Sequence, residues 1–311
     1  MLETVASCGL AVDERAVIRK NRLCPKEGAE GKKRIAVVTG VHGDELEGQY
    51  VCYELIRRIN RQHNKLKGIV DVYPMLNPLG ADAVARRIPM FDLDMNRIFP
   101  GSENGSPWES IAEKVVSDIR GADLCIDIHS SDIFLREIPQ VRIAAEDKVR
   151  LLPYAKRLNC DFVWVGNSSA VKPSSLSYSL NSTGTPCVVV EMGAGMKITK
   201  SFGDQLLDGI FAIMSDLGIW SGPAGEVSNP IVSSDGEVAI VHGNKSGVFM
   251  PAVEHWIGIC KGDRLGDILN VYTGEIEEEI YSPVSGMVFT LREYPVVSAG
   301  SLIARILGGG R

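Results

Sequence analysis

The chain has 311 residues, 45% of them apolar and 23% charged, with a formal net charge of −6. That length allows two modest domains, and the composition is that of a globular protein. The acidic balance excludes nucleic acid and anionic membranes as main partners, since both want a basic face. No apolar run reaches the ~18 residues of a membrane-spanning helix. The seven cysteines (Cys8, Cys24, Cys52, Cys125, Cys160, Cys187 and Cys260) are scattered, without a C-x-x-C pair. They read as thiols of a reducing, cytoplasmic compartment. Residues 5–8 (VASC) carry the small residues of a lipoprotein cleavage site, but no basic or apolar stretch precedes them, so they are not read as one.

In chain order, residues 34–39 (RIAVVT) predict a buried strand. Residues 46–61 predict a helix, with Val51, Leu55, Ile56 and Ile59 on one side. A second strand is expected at 69–75 (IVDVYPM), a helix at 108–119 and a third strand at 122–128 (ADLCIDI). Short apolar strands follow at 162–165 and 186–190, then an amphipathic helix at 202–217. Strands that are apolar throughout and alternate with helices indicate an α/β/α sandwich with a parallel or mixed sheet. The pattern then changes. Residues 221–230 (SGPAGEVSNP) read as a linker, and from Ile231 onward short β-type runs are punctuated by Gly and Pro with no helix. The expected organisation is a catalytic domain over residues 1–220, a linker over 221–230 and an all-β module over 231–311.

Three predicted strands end in chemistry, and ligands of open α/β sheets gather beyond the carboxyl ends of strands. The first strand runs into His42, Gly43, Asp44 and Glu45; "CIDIHSS" delivers His129; "VVVEMGAG" delivers Glu191. Two histidines and a carboxylate form a ligand set for catalytic zinc that leaves a position for water. His42 and Glu45 are three apart, and on a tight turn opening a helix both reach one point. His129 is the third candidate: His63 lies in a polar loop, and His242 and His255 lie in the β module. Asp127, on the strand face of His129, and Asp44 are both candidates for accepting a hydrogen bond from a ligand histidine.

With these motifs in place, the chain resembles the succinylglutamate desuccinylase/aspartoacylase family of zinc carboxypeptidase-like metallohydrolases. The resemblance rests on "GVHGDELEG" (40–48), "NPLGADAVARRIPMFDLDMNRIFPG" (77–101), "DIHSS" (127–131) and "VVVEMG" (188–193). It implies that His42, Glu45 and His129 bind one zinc per chain and that Glu191 is the general base and acid. It further implies that Asn96 and Arg97 hold a substrate carboxylate, which suits the paired donors of a guanidinium. Arg86 would face the scissile carbonyl, with Arg87 beside it as the alternative.

The region 247–306 resembles a barrel-sandwich domain of the biotinyl/lipoyl kind, through "KGDRLGDIL" and "SPVSGMV". Such domains carry their cofactor on a hairpin-tip lysine, but the equivalent position here is Glu275. Covalent lipoylation or biotinylation is therefore not expected. The resemblance to the deacylases, where such a module borders the active site, implies that it narrows access or aids assembly, and Tyr294 is its candidate for reaching the site. The reading is a zinc-dependent deacylase acting on a small N-acyl amino acid or related compound. The rival within the same chemistry is a metallocarboxypeptidase, and the rival of another class is a non-catalytic binding protein. Oligomeric state is left open, a homo-oligomer included.

Overall fold

The computed structural model describes residues 1–166 and 173–308; the last three residues of the expected β module lie outside them. The chain opens with an antiparallel pair, β1 (Leu2–Gly9) and β2 (Arg15–Leu23). There follow β3 (Arg34–Thr39), α1 (Glu47–Arg61), β4 (Ile69–Tyr73), the short α2 (Pro78–Asp82), α3 (Pro107–Ile119) and β5 (Leu124–His129). Next come β6 (Leu135–Ala144), α4 (Lys148–Arg157), β7 (Phe162–Gly166), α5 (Leu176–Ser182), β8 (Cys187–Gly193) and α6 (Lys200–Asp216). Residues 221–230 carry no regular structure.

Strands β4, β3, β5 and β8 run parallel, and β6 returns antiparallel to β8. The sheet is thus mixed, as expected. Its parallel strands β3, β4, β5 and β8 are mostly apolar because both faces are covered. On one face Val37, Ile126 and Val190 pack with Val51 and Leu55 of α1, Leu151 of α4 and Leu206, Ile210 and Met214 of α6. On the other, Ala36, Val38 and Tyr73 pack with Trp108, Ile111 and Val115 of α3 and Leu176 and Leu180 of α5. Helix α3 starts sharply for a local reason: Ser106 and Glu109 form a reciprocal capping box, with Pro107 in the first turn.

The C-terminal region is all β: β9 (Ile231–Ser234), β10 (Val238–His242), β11 (Gly247–Pro251), β12 (Ile257–Ile259), β13 (Arg264–Asn270), β14 (Glu275–Tyr281), β15 (Gly286–Arg292), β16 (Val296–Val297) and β17 (Leu302–Leu307). Strands β14, β13, β11 and β16 form a separate four-stranded sheet. The others extend the large sheet: β15 pairs antiparallel with β6, β17 pairs with β15, and β9 pairs parallel with β7. Phe249, Leu265, Ile268, Val288, Ile303 and Ile306 form the core between the two sheets.

The β13–β14 hairpin turns at residues 271–274, where the Asn270 side chain accepts from the Tyr272 and Thr273 amides and Gly274 takes φ +75°. Glu275 opens β14 opposite Asn270. With a carboxylate at that position, intact mass after expression with lipoate or biotin supplied is expected to show no adduct. A shift of either cofactor's size would contradict the hairpin alignment.

Candidate metal centre and substrate cleft

The site begins at the turn between β3 and α1. The His42 carbonyl accepts from the Glu45 amide at 3.4 Å, which places the two side chains on one side of the turn. His42 Nδ1 lies 2.7 Å from Glu45 Oε1. The turn is packed so closely on residues 80–81 that a Cβ at Gly43 would fall 2.1 Å from the Gly80 carbonyl carbon; only glycine fits there. Strand β5 ends beside it, and His129 Nδ1 lies 2.8 Å from Glu45 Oε2. One ligand atom from each of His42, Glu45 and His129 lies within 4.8 Å of the others. All three residues are buried.

Each far nitrogen faces a carboxylate, with hydrogen-bond geometry at His42 and as a charge contact at His129. His42 Nε2 is 3.1 Å from Asp94 Oδ1, and His129 Nε2 is 3.2 Å from Asp127 Oδ2. Carboxylates behind both rings are the support that ligand histidines need, because they fix ring orientation and raise basicity. Of the two sequence candidates, Asp127 stands on a histidine. Asp44 does not: its side-chain Oδ1 is buried without a hydrogen-bond partner. Asp94 does the equivalent work at His42 and was not singled out from sequence. Its Oδ1 also caps the following turn through the Asn96 amide at 2.9 Å, and that D-x-N spacing is the signal available in the sequence.

This donor set fits a cation. His42 Nδ1 is buried and makes no proper hydrogen bond although a carboxylate oxygen sits 2.7 Å away, and an orphaned buried nitrogen of this kind is costly without a partner. Burial alone would raise the Glu45 carboxyl, but the two rings against it hold it well below the usual carboxylate range. Burial would likewise raise Asp94, and the His42 contact holds it low. Two imidazoles and an ionised carboxylate match zinc better than a hard cation that prefers oxygen.

Glu191 sits on β8 directly opposite His129 of β5 in the parallel ladder, so both face the same space. Burial pushes its carboxyl up to about 7, against the lowering effect of Arg142 and with a further raising effect from Glu137. Arg142 reaches it from β6 at 3.2 Å. Arg86 donates to Glu45 Oε1 at 2.8 Å, and its carbonyl accepts from the Gly43 amide and the Asn77 side chain. Arg87 turns away to Asp92, so of the two arginines it is Arg86 that borders the centre. Asn96 accepts from the Leu176 amide at 3.0 Å, and Arg97 donates to the Asn96 carbonyl at 2.6 Å.

His42, Glu45, His129, Glu191, Arg142, Arg86, Asn96 and Arg97 line one cleft of about 470 Å³, together with Ser130, Ser131, Ser175, Ser177 and Phe134. That is the size of a small-molecule site. The C-terminal strands contribute Arg305 to it. Tyr294 stays outside, edge-on to Phe134 at 5.8 Å between ring centres.

Residues 31–217 match the model of the succinylglutamate desuccinylase/aspartoacylase catalytic domain. The chain belongs to this family. Among curated proteins it is 33% identical over 138 residues to an N-alpha-acetyl-L-2,4-diaminobutyric acid deacetylase from Halomonas elongata. That match spans 42% of this chain and 40% of the relative's length. Solved desuccinylase/aspartoacylase structures share the whole fold. The Rhodobacter sphaeroides protein superposes with a TM-score of 0.82 at 19% identity, covering 99% of this chain and 95% of its own. The product-bound ectoine utilization protein EutE (DoeB) from Ruegeria pomeroyi gives 0.79 at 21%, covering 95% and 90%. The family's mixed sheet and the all-β C-terminal sheet are therefore the fold of this chain. No helix among the described residues is long and apolar enough to cross a membrane.

Proposed function

We propose that this family member is a zinc-dependent hydrolase that cleaves the N-acyl amide of a small amino acid or related compound. The observation that supports it most is the placement of Glu191 beside the His42–Glu45–His129 cluster at the head of a small cleft walled by Asn96 and Arg97. His42, Glu45 and His129 would hold the zinc, which when bound supplies Lewis-acid polarisation and lowers the pKa of a water. Arg97 and the Asn96 amide bind the substrate carboxylate and so orient the amide bond. Arg86, against Glu45, donates to the acyl carbonyl oxygen as negative charge builds on it. Glu191 takes the proton of the attacking water as the new C–O bond forms. It then delivers that proton to the amide nitrogen as the C–N bond breaks, releasing a carboxylic acid and an amine.

The test is a panel of N-acyl amino acids set against short peptides, offered to the zinc-loaded protein. Release of amine from the acyl amino acids and not from peptides is expected. The reverse preference would make the protein a metallocarboxypeptidase, and turnover of neither would favour a binding protein.

Arg97 gives a second check. Arg97→Ala is expected to lower kcat/KM by roughly 10²-fold on substrates with a free carboxylate. The carboxamide analogues, which never used that contact, are expected to lose far less. An equal loss on both series would show that Arg97 does not read a carboxylate.

A further inference from the structure

Glu191 has a supporting chain of its own, and that chain crosses into the C-terminal strands. Arg142 donates through one amino group to Glu191 at 3.2 Å and through the other to Glu137 Oε2 at 2.7 Å. Glu137 is 1% exposed. Its other oxygen accepts from Arg305 and from the Thr290 hydroxyl. The ladder explains the convergence. Arg305 of β17 pairs with Thr290 of β15, and Thr290 pairs with Glu137 of β6, so the three side chains form one row across three strands. On the other side of β6, Gln140 pairs with Glu191 and Arg142 with Val189, which sets Arg142 diagonally beside Glu191. Trp164 closes the pair from above, with the Arg142 guanidinium 5.4 Å and that of Arg305 5.8 Å from its ring centre.

We propose that Glu137 and Arg305 are positioning residues for Glu191, acting through Arg142, so that the C-terminal strand β17 helps to aim the base of the catalytic cleft. The physical reason lies in the buried carboxylate of Glu137. Flanked by two guanidiniums, it locks both; with Arg305 removed, one of its oxygens loses its charged partner and the fork of Arg142 no longer has a fixed anchor. Glu191 then loses the donor that fixes its rotamer, and a misplacement of about 1 Å is enough to cost orders of magnitude in turnover.

This inference rests on the assignment of Glu191 as base, and the test keeps the two separable. Arg305→Ala, Arg305→Lys and Glu137→Gln are compared with Arg264→Ala, a variant of the same C-terminal region whose ion pairs with Asp267 and Glu279 lie outside the cleft. With an N-acyl amino acid as substrate, Arg305→Ala is expected to lower kcat by about tenfold or more with KM changed less than about threefold. Arg305→Lys should recover part of the loss, Glu137→Gln should resemble Arg305→Ala, and all should keep wild-type zinc content. Arg264→Ala should keep wild-type kcat. A crystal structure of Arg305→Ala is the arm that does not depend on turnover: the Arg142–Glu191 contact should be broken or displaced. If Arg142 and Glu191 hold their positions there, or if the loss falls on KM alone, the positioning role is refuted. If the wild type hydrolyses no member of the panel, the deacylase reading fails and the crystallographic arm still decides the positioning chain.

Discussion

Glu191→Gln is expected to fold, keep its zinc and bind substrate while losing turnover by ~10²–10⁴-fold. The strand Cys187–Gly193 is otherwise apolar up to this residue, and a charge placed there must be used or neutralised. On the proposed reading His42, Glu45 and His129 would hold the metal and leave a position for water, so Glu191 would not be needed as a fourth ligand. Glutamine keeps the shape and can still accept from Arg142, but it cannot take a proton near neutral pH. The direction of the pH dependence follows. Burial raises the Glu191 carboxyl to about 7, and a base works only when ionised, so wild-type kcat/KM should climb as pH rises toward neutrality. A bound cation nearby pulls that limb to lower pH. The climb should vanish from the residual activity of Glu191→Gln. A variant with more than about a tenth of wild-type kcat and normal zinc would remove Glu191 from the role of base. A variant without zinc would make Glu191 a ligand and reopen the place of Glu45.

His129→Ala is expected to lose most of its zinc, and with it most of its turnover. The ring is buried between Glu45 at 2.8 Å and Asp127 at 3.2 Å. Alanine removes a ligand and leaves the Asp127 carboxylate buried without its partner, which also lowers stability by about 1–3 kcal/mol. His63→Ala is the matched control: His63 sits in a short polar turn, His63–Lys65, away from the cleft. Metal analysis of both purified variants, with folding checked by circular dichroism, decides the matter. Equal zinc in the two would contradict the ligand assignment.

What the sequence made legible follows from hydropathy. Arg34–Thr39 leads within three residues to His42, Leu124–His129 ends in its histidine, and the apolar run of Cys187–Gly193 is broken at Glu191. A run that ends in such a group announces both a strand and a site at its carboxyl end. The helices Glu47–Arg61, Pro107–Ile119 and Lys200–Asp216 carry a one-sided apolar pattern, and they sit within a few residues of where that pattern puts them. The rest was hidden because buried charges that satisfy one another leave no hydropathic trace. Strand β2 reads as polar (RAVIRKNRL), yet Lys20 is 2% exposed because Asp118 accepts from it at 2.7 Å, with Asp71 3.8 Å away. Strand β6 (LREIPQVRIA) contains a proline and Glu137, Gln140 and Arg142, so it does not look like the interior strand it is. Arg305 escapes notice for a related reason: it acts through Glu137, far away in sequence, and no local spacing reports such a contact. Asp94 leaves only the D-x-N spacing of its turn cap, which does not report its contact with His42.

The metal dependence of amine release tests the central claim most directly. The protein is stripped with a chelator, assayed on N-acyl amino acids, and assayed again after one equivalent of zinc is restored. Release should be abolished by stripping and should return with zinc in the wild type, but not in His129→Ala. Release that persists in the stripped protein, or that returns equally in His129→Ala, would contradict a reaction carried out at His42, Glu45 and His129.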